Sequence, residues 1–287
     1  MLKKAIKKIA CGALAISSVL ACVGTMTACE TDHPEVEMTI EFNGETYVLE
    51  YELNRNVAPA TTAHFLWLAD NGYYDGLCVH NYEESKLFTG AYSHTKDAED
   101  EDGLVYKSYY EVVKKYGNLK DFPVSVWKEK SKLTPTYTVY GEFGANNFRV
   151  ENGALNETFG SLTMYYHTKD TSDRVYVKRA DSDEGAVSPK DYKYNSATSM
   201  FYISLATGET AHNEYCTFAV LNEDSVEILQ DLQTAIDEYY DDKDEFTKEH
   251  TLLIDADDAY VGDHKNQVTY HVPVKPIVIK KVEVTSF

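Results

Sequence analysis

The chain has 287 residues, of which 43% are hydrophobic, 13% aromatic and 26% charged, with 23 Tyr. That much apolar and aromatic material builds one substantial core or two small ones, which excludes disorder as a whole-chain reading, and no glycine period or series of spanning segments supports a collagen-like or multi-span membrane protein. Asp and Glu outnumber Lys and Arg 47 to 27, a net charge of −20; without a basic patch such a surface repels a phosphate backbone, so nucleic acid is excluded as a partner.

The first element is an export signal. Met1–Lys8 holds four lysines and no acid, and Ile9–Val23 is mostly small and apolar without charge. The stretch is short of the roughly 20 apolar residues that a permanent spanning helix needs. Thr27-Ala28-Cys29-Glu30 places small residues before a cysteine and a polar stretch after it. This resembles a bacterial lipoprotein signal, in which the cysteine takes a diacylglyceryl group and becomes the mature N-terminus. Cys22, after Val19-Leu20-Ala21, is the alternative lipidation site, and an ordinary secretory signal with incidental cysteines is the blander reading. The expectation is a signal over residues 1–28, a tether over 29–36 and a folded domain over 37–287, lipid-anchored at the cell membrane and facing away from the cytoplasm. Cleavage before Cys29 removes four Lys and leaves 23 basic against 47 acidic residues, −24. Cys11 and Cys22 then leave with the signal, and Cys78 and Cys216 remain, either as a disulfide or as free buried thiols.

Met38–Phe42 and Thr46–Leu53 read as strands joined at Asn43-Gly44, a hairpin turn. Pro59 starts a helix that presents Phe65, Leu66 and Ala69 on one face and closes at Asn71-Gly72. Leu77–His80 reads as a short buried strand, and Thr136–Tyr140, Gly160–Tyr166, Met200–Leu205, Thr217–Leu221 and Val274–Val284 follow. Glu223–Tyr239 is a second helix, capped by Asn222, with Val226, Leu229, Leu232 and Ile236 at helical spacing. Three polar segments interrupt these elements, at about 92–135, 167–196 and 240–271. The first holds the acidic run Lys96–Asp102 and a helix with Tyr106, Tyr109, Val113 and Tyr116 on one face; the second holds a strand at Arg174–Lys178; the third opens with acidic Tyr240–Glu245. Segments this long carry structure of their own in a compact domain. The expected fold class is mainly β, a closed barrel whose ends are capped by two α-helices, with long insertions.

The order of elements resembles the cyclophilins, peptidyl-prolyl cis-trans isomerases. Pro59-Ala60-Thr61-Thr62-Ala63-His64-Phe65 is similar to their "P-x-T-x-x-N-F", and Gly72-Tyr73-Tyr74-Asp75-Gly76-Leu77-Cys78-Val79-His80 to "G-Y-Y-D-G-x-x-F-H". Val139-Tyr140-Gly141-Glu142-Phe143 resembles "I-Y-G-E-x-F", Gly160-Ser161-Leu162-Thr163-Met164 "G-x-L-S-M", and Ser199-Met200-Phe201-Tyr202-Ile203 "S-Q-F-F-I". Thr217-Phe218-Ala219-Val220 stands for "V-F-G-x-V", and Val274–Val284 is similar to the closing strand. The resemblance implies a cyclophilin-like barrel that needs no cofactor and no metal, and proline-containing peptides or exported proteins as partners. It also implies sites. The family arginine that donates to the prolyl carbonyl falls on Asn81, beside His80. The Phe-Met-x-Gln run of the proline pocket falls on Lys86-Leu87-Phe88-Thr89, the Ala-Asn pair of the groove on Tyr165-Tyr166, and the pocket glutamine and phenylalanine on Met200 and Tyr202. The family tryptophan and histidine fall near Thr210 and Tyr215.

Rotation about a peptide C–N bond meets a barrier of about 18–20 kcal/mol, so an isomerase must bind the twisted amide better than either planar form. Losing one preorganised donor costs roughly 2.7–4 kcal/mol, or about 10²–10³ in rate, and Asn81 offers only a short neutral one. The expected function is a cell-surface prolyl isomerase with weak turnover; the alternative is a catalytically inactive peptide- or protein-binding lipoprotein. A third class, a divergent barrel that binds a glycan through its Tyr-rich insertions, has little support. The blander readings are a core histidine for His80, plain core for Leu87, Phe88 and Tyr202, and a groove filled by the rings of Tyr165 and Tyr166. Asp255-Ala256-Asp257-Asp258 lacks the glycine of a calcium loop and reads as acidic surface.

Overall fold

The structure, a computed structural model, describes residues 31–95, 103–107, 109, 113, 121–148, 154–165, 174–179, 185–191, 196–207, 215–241, 247–254 and 266–287. The export signal with Cys22 and Cys29, and also Tyr116, Tyr166, Thr210 and the 255–258 acidic stretch, lie outside the described residues.

Alternating apolar residues make the first two strands, β1 (Glu35–Phe42) and β2 (Glu45–Leu53), which pair antiparallel from Phe42↔Glu45 onward. Their turn needs positive φ at both positions, and Asn43 (51°) and Gly44 (90°) supply it. Next come α1 (Pro59–Asp70), β3 (Leu77–Cys78), β4 (Asn81–Glu83), β5 (Lys86–Thr89), β6 (Tyr92–His94) and β7 (Leu104–Tyr106). Then follow β8 (Val126–Trp127), β9 (Val139–Tyr140), β10 (Leu162–Met164), β11 (Arg174–Lys178), β12 (Val187–Asp191), β13 (Ser196–Ala197), β14 (Phe201–Ser204) and β15 (Cys216–Leu221). The chain ends with α2 (Glu223–Asp241), β16 (Thr247–Ile254), β17 (Asn266–Pro273) and β18 (Ile277–Ser286).

Eleven strands form one sheet in the order β4-β5-β14-β10-β15-β2-β1-β18-β3-β6-β7. The expected closed barrel does not form: the sheet curls but stays open, with β4 and β7 as its unjoined ends. The cause lies in residues 77–83: the strand expected over Leu77–His80 ends at Cys78, and a second begins at Asn81 after a break at Val79-His80. Its first half pairs with β18 and β6 and its second half with β5. The amide of Val79 donates to Ile277 O and that of His80 to Phe88 O, so successive residues serve opposite sides. The chain itself spans the seam that a ladder would close.

Helix α1 packs inside the curl, where Phe65 stacks on Tyr74 (4.9 Å) and meets Phe201 and Phe218 at 5.4 and 5.0 Å. Its N-cap is Ala58, which has no capping side chain. The loop after β9 supplies the cap instead: Glu142 accepts from Ala60 N–H (3.0 Å) and Thr61 N–H (2.8 Å), satisfying two first-turn amides. Helix α2 buries Leu229, Leu232 and Ile236, and its Ser225 hydroxyl accepts from Glu50 N–H at 2.9 Å, which ties it to β2. Among the described residues these are the two α-helices with full bounds; Tyr109 and Val113 are also helical and buried. Tyr106 belongs to the exposed edge strand β7 rather than to that helix.

The polar segments build two further sheets. Strands β8, β11 and β12 form a three-stranded sheet that joins the first segment to the second. Strands β16 and β17 form a hairpin paired from Thr247↔Pro273 to Ile254↔Asn266. Cys78 and Cys216 are both free and buried, so the thiol alternative holds.

Candidate functional site

Strand periodicity decides what the site contains. Side chains alternate across a sheet, so four consecutive residues cannot line one pocket. In β5, Leu87 and Thr89 point into the core, both fully buried, and the Thr89 hydroxyl donates to Cys78 O at 2.9 Å. Neither lines the cleft in which the sequence reading placed them. Lys86 and Phe88 take the outer face. Cross-strand pairing then sets Asn81 opposite Phe88, and Phe88 opposite Tyr202, in one row across β4, β5 and β14. The next row sets Glu83 opposite Lys86, and Lys86 opposite Ser204.

Beside the first row lies a cavity of about 180 Å³ lined by His80, Asn81, Glu83, Phe88, Tyr165, Met200, Thr269 and Tyr270. Five of these, His80, Asn81, Phe88, Tyr165 and Met200, were read from the sequence as site residues. Phe88 meets Tyr165 edge-on at 5.9 Å and Tyr202 at 5.2 Å. Tyr165 is half-buried and forms a wall, leaving the cavity open beside it. Burial also raises the Tyr165 phenol above its ordinary range, with the nearby Tyr215 and Glu83 adding to the effect, so it is a neutral hydroxyl. His80 is buried against the rings of Tyr92 (4.9 Å) and Tyr270 (4.8 Å), which is the core-histidine reading, although one part of it reaches the cavity.

Asn81 is held by its neighbours. Its side-chain oxygen accepts from His271 N–H at 2.8 Å, and its side-chain NH2 donates to Glu83 at 3.3 Å. The hairpin thereby covers the outer edge of β4, which the ladder leaves unpaired. Tyr270 and Val272 anchor it, joining Cys78, Tyr92 and Met200 in a satellite apolar cluster. Nothing in residues 240–271 announced this contact: it depends on an amide meeting a side chain 190 residues away in sequence.

The second row is polar. Buried Glu157 accepts from the Tyr202 hydroxyl (3.0 Å) and the Ser204 hydroxyl (2.9 Å), and Lys86 Nζ stands 3.9 Å from it. The same ammonium lies over the rings of Tyr202 (4.5 Å) and Tyr215 (5.5 Å). Desolvation and the Glu157 carboxylate drive the Tyr202 phenol far above its ordinary range, so it donates and does not ionise. Glu157 escaped the sequence reading because it lies in a segment without periodic pattern.

The model of the cyclophilin type peptidyl-prolyl cis-trans isomerase/CLD family matches residues 36–254. The chain belongs to the cyclophilin family. Solved cyclophilins resemble it at low identity. One from Cryptosporidium parvum is 17% identical, with 89% of this chain and 99% of that one covered and a TM-score of 0.40. The Mimivirus cyclophilin is 12% identical, covering 90% and 92%, with a TM-score of 0.42. The Cryptosporidium protein was also crystallised in the presence of the dipeptide Ala-Pro, and that structure gives 16% identity, 88% and 99% coverage and a TM-score of 0.39. No curated protein matches the chain in the sequence comparison.

Asn81, which the resemblance aligned with the family arginine, is already bonded to the hairpin and to Glu83. Of the residues that the resemblance aligned with the family's proline pocket, Lys86-Leu87-Phe88-Thr89 and Tyr202, the structure places Lys86 and Tyr202 at Glu157. Lys86 stands 3.9 Å from Glu157 and over the Tyr202 ring. What stays open is the neighbouring cavity between Phe88, Tyr165 and Met200.

Proposed function

We propose that this cyclophilin binds proline-containing segments of exported proteins at the cell surface, held there by a lipid on Cys29, and that its isomerase turnover is weak or absent. The observation that carries the reading is the pairing of an open aromatic cavity with Asn81 bonded on both sides. Binding needs an apolar recess and a few polar groups at its rim, and the cavity has Phe88, Tyr165 and Met200 beside Asn81 and Glu83. Turnover needs more: a donor that strengthens its bond as the prolyl carbonyl rotates. A neutral amide already donating to Glu83 is a poor candidate for that role.

A protease-coupled isomerisation assay on an Ala-Pro test peptide checks the reading. The wild-type protein is expected to run about 10²–10³ below a site with a cationic donor, the deficit that loss of one preorganised donor produces. Asn81→Arg is expected to raise the rate, because guanidinium supplies the cation. Turnover by the wild type equal to that of an arginine-bearing site contradicts the proposal.

A further inference from the structure

The outer wall of the cavity comes from β17, which lies beyond residues 36–254 matched by the family. Thr269 and Tyr270 line the cavity from that side, facing Phe88 and Tyr165. The wall is fixed in place. Tyr270 is buried at 4% exposure against His80 and Tyr92, and His271 N–H is bonded to Asn81. At the base of the hairpin, Lys275 N–H donates to the Tyr240 hydroxyl, which donates in turn to Lys275 O, both at 3.1 Å, so the exit strand is pinned to α2.

We propose that Thr269 and Tyr270 are ligand-contacting, specificity-determining residues, and that the ligand they select is a proline-bearing segment flanked by Lys or Arg. The inference rests on the reading of the cleft as a proline-peptide site and adds to it the wall and the charge preference. Three rings, those of Phe88 in β5, Tyr165 just after β10 and Tyr270 in β17, line the space, which suits a ring inserted edge-on. A cavity of about 180 Å³ has room for one such ring and little more. Glu83 is exposed at the rim and the chain carries −20, so a basic flank is drawn in and an acidic one repelled.

The test is a titration of the full folded chain with two peptides, acetyl-Lys-Ala-Pro-Lys-amide and acetyl-Glu-Ala-Pro-Glu-amide, read by amide shift changes at 269–271 and by affinity. The Lys peptide is expected to bind with shifts at Thr269 and Tyr270, and roughly fivefold or more tighter than the Glu peptide at low salt, the gap narrowing as salt is raised. Tyr270→Ala removes a ring but also loosens the hairpin. Tyr270→Leu removes the ring but keeps an apolar anchor for the hairpin in the satellite cluster, and is expected to weaken the Lys peptide by roughly tenfold with the amide shifts of the docked hairpin retained. If the wild type binds the Lys peptide but Tyr270→Leu binds it equally, or if the Glu peptide binds as well, the wall and its charge preference are overturned while the cleft reading stands. If the wild type binds neither peptide, the cleft reading itself fails and this inference with it.

Discussion

His64 lies in α1 and Glu142 caps its first turn, and burial moves the two in opposite directions. The imidazole is lowered to about 4 by desolvation, against the bond from its Nε2 to Thr198 O. The carboxyl is raised to about 7 by desolvation, against the amides of Thr61 and Ala60. Between its folded value and the unfolded value of about 6.5, His64 binds fewer protons in the folded state, so stability rises with pH through that window. Between about 4.5 and 7 Glu142 binds more protons when folded, so stability falls with pH. Each effect is about 3 kcal/mol, and across their shared window they cancel. Urea midpoints measured from pH 4.5 to 7.5 are expected to fall with pH in His64→Asn and to rise in Glu142→Gln; parallel profiles in the two variants contradict the assignment. Both residues sit in the motifs that carried the family resemblance, yet their coupling was illegible, because Glu142 and Thr61 are 81 positions apart. Leu87 and Thr89 failed for a different reason. A motif aligned residue by residue ignores that a strand sends alternate side chains to opposite faces, and the observed burial of β5 follows that alternation.

At the scale of elements, the corner after β5 controls the cleft. Gly90 has φ +98°, and a Cβ there would stand 2.3 Å from Ser199 O and 3.0 Å from Met200 Cα. The contact is with backbone, so no side-chain rotation relieves it. Ser199 also donates to Gly90 O at 2.7 Å, which locks β5 to the start of β14. Gly90→Ala is expected to cost about 3 kcal/mol or more, combining left-handed strain with displacement of Met200 in the cavity floor. Thermal unfolding checks it: a fall of roughly 6–12 °C is expected for a domain of this size, and an unchanged melting temperature contradicts the packing described. Elements with strong local signals were legible: the β1–β2 hairpin, both helices and β11 stand where turn signals and periodicity placed them. Strands whose ends are set by distant partners were not. The strand expected over Gly160–Tyr166, whose last residue lies outside the described residues, is regular only at Leu162–Met164; Gly160, Ser161 and Tyr165 still bond to Ser204 and Met200. The β16–β17 hairpin was read as a polar insertion, since its docking depends on Tyr270 and Val272 finding a satellite cluster built by other strands.

For the whole molecule, the family was legible while closure of the sheet was not. Eleven strands curl around α1, but the 77–83 segment divides its hydrogen bonds between two sides and leaves the ladder open. The insertions pair with one another and with the open edge, so the parts that looked peripheral in sequence complete the cleft. The proposed anchor is a whole-molecule property as well. Cys29→Ser is expected to shift the protein from the detergent phase to the aqueous phase on phase separation, since a lipid chain contributes about 0.8 kcal/mol per buried methylene; retention in the detergent phase, or release by Cys22→Ser instead, contradicts the assignment to Cys29. The central claim is a cleft that holds proline peptides while turning them over weakly or not at all. Exchange NMR on an Ala-Pro peptide in the presence of the protein tests it most directly, because one spectrum reports both events. Shift changes on binding are expected, with cis–trans exchange at least about 10²-fold slower than an arginine-bearing cyclophilin site drives at the same concentration; exchange as fast as at such a site, or a peptide spectrum untouched by the protein, would contradict it.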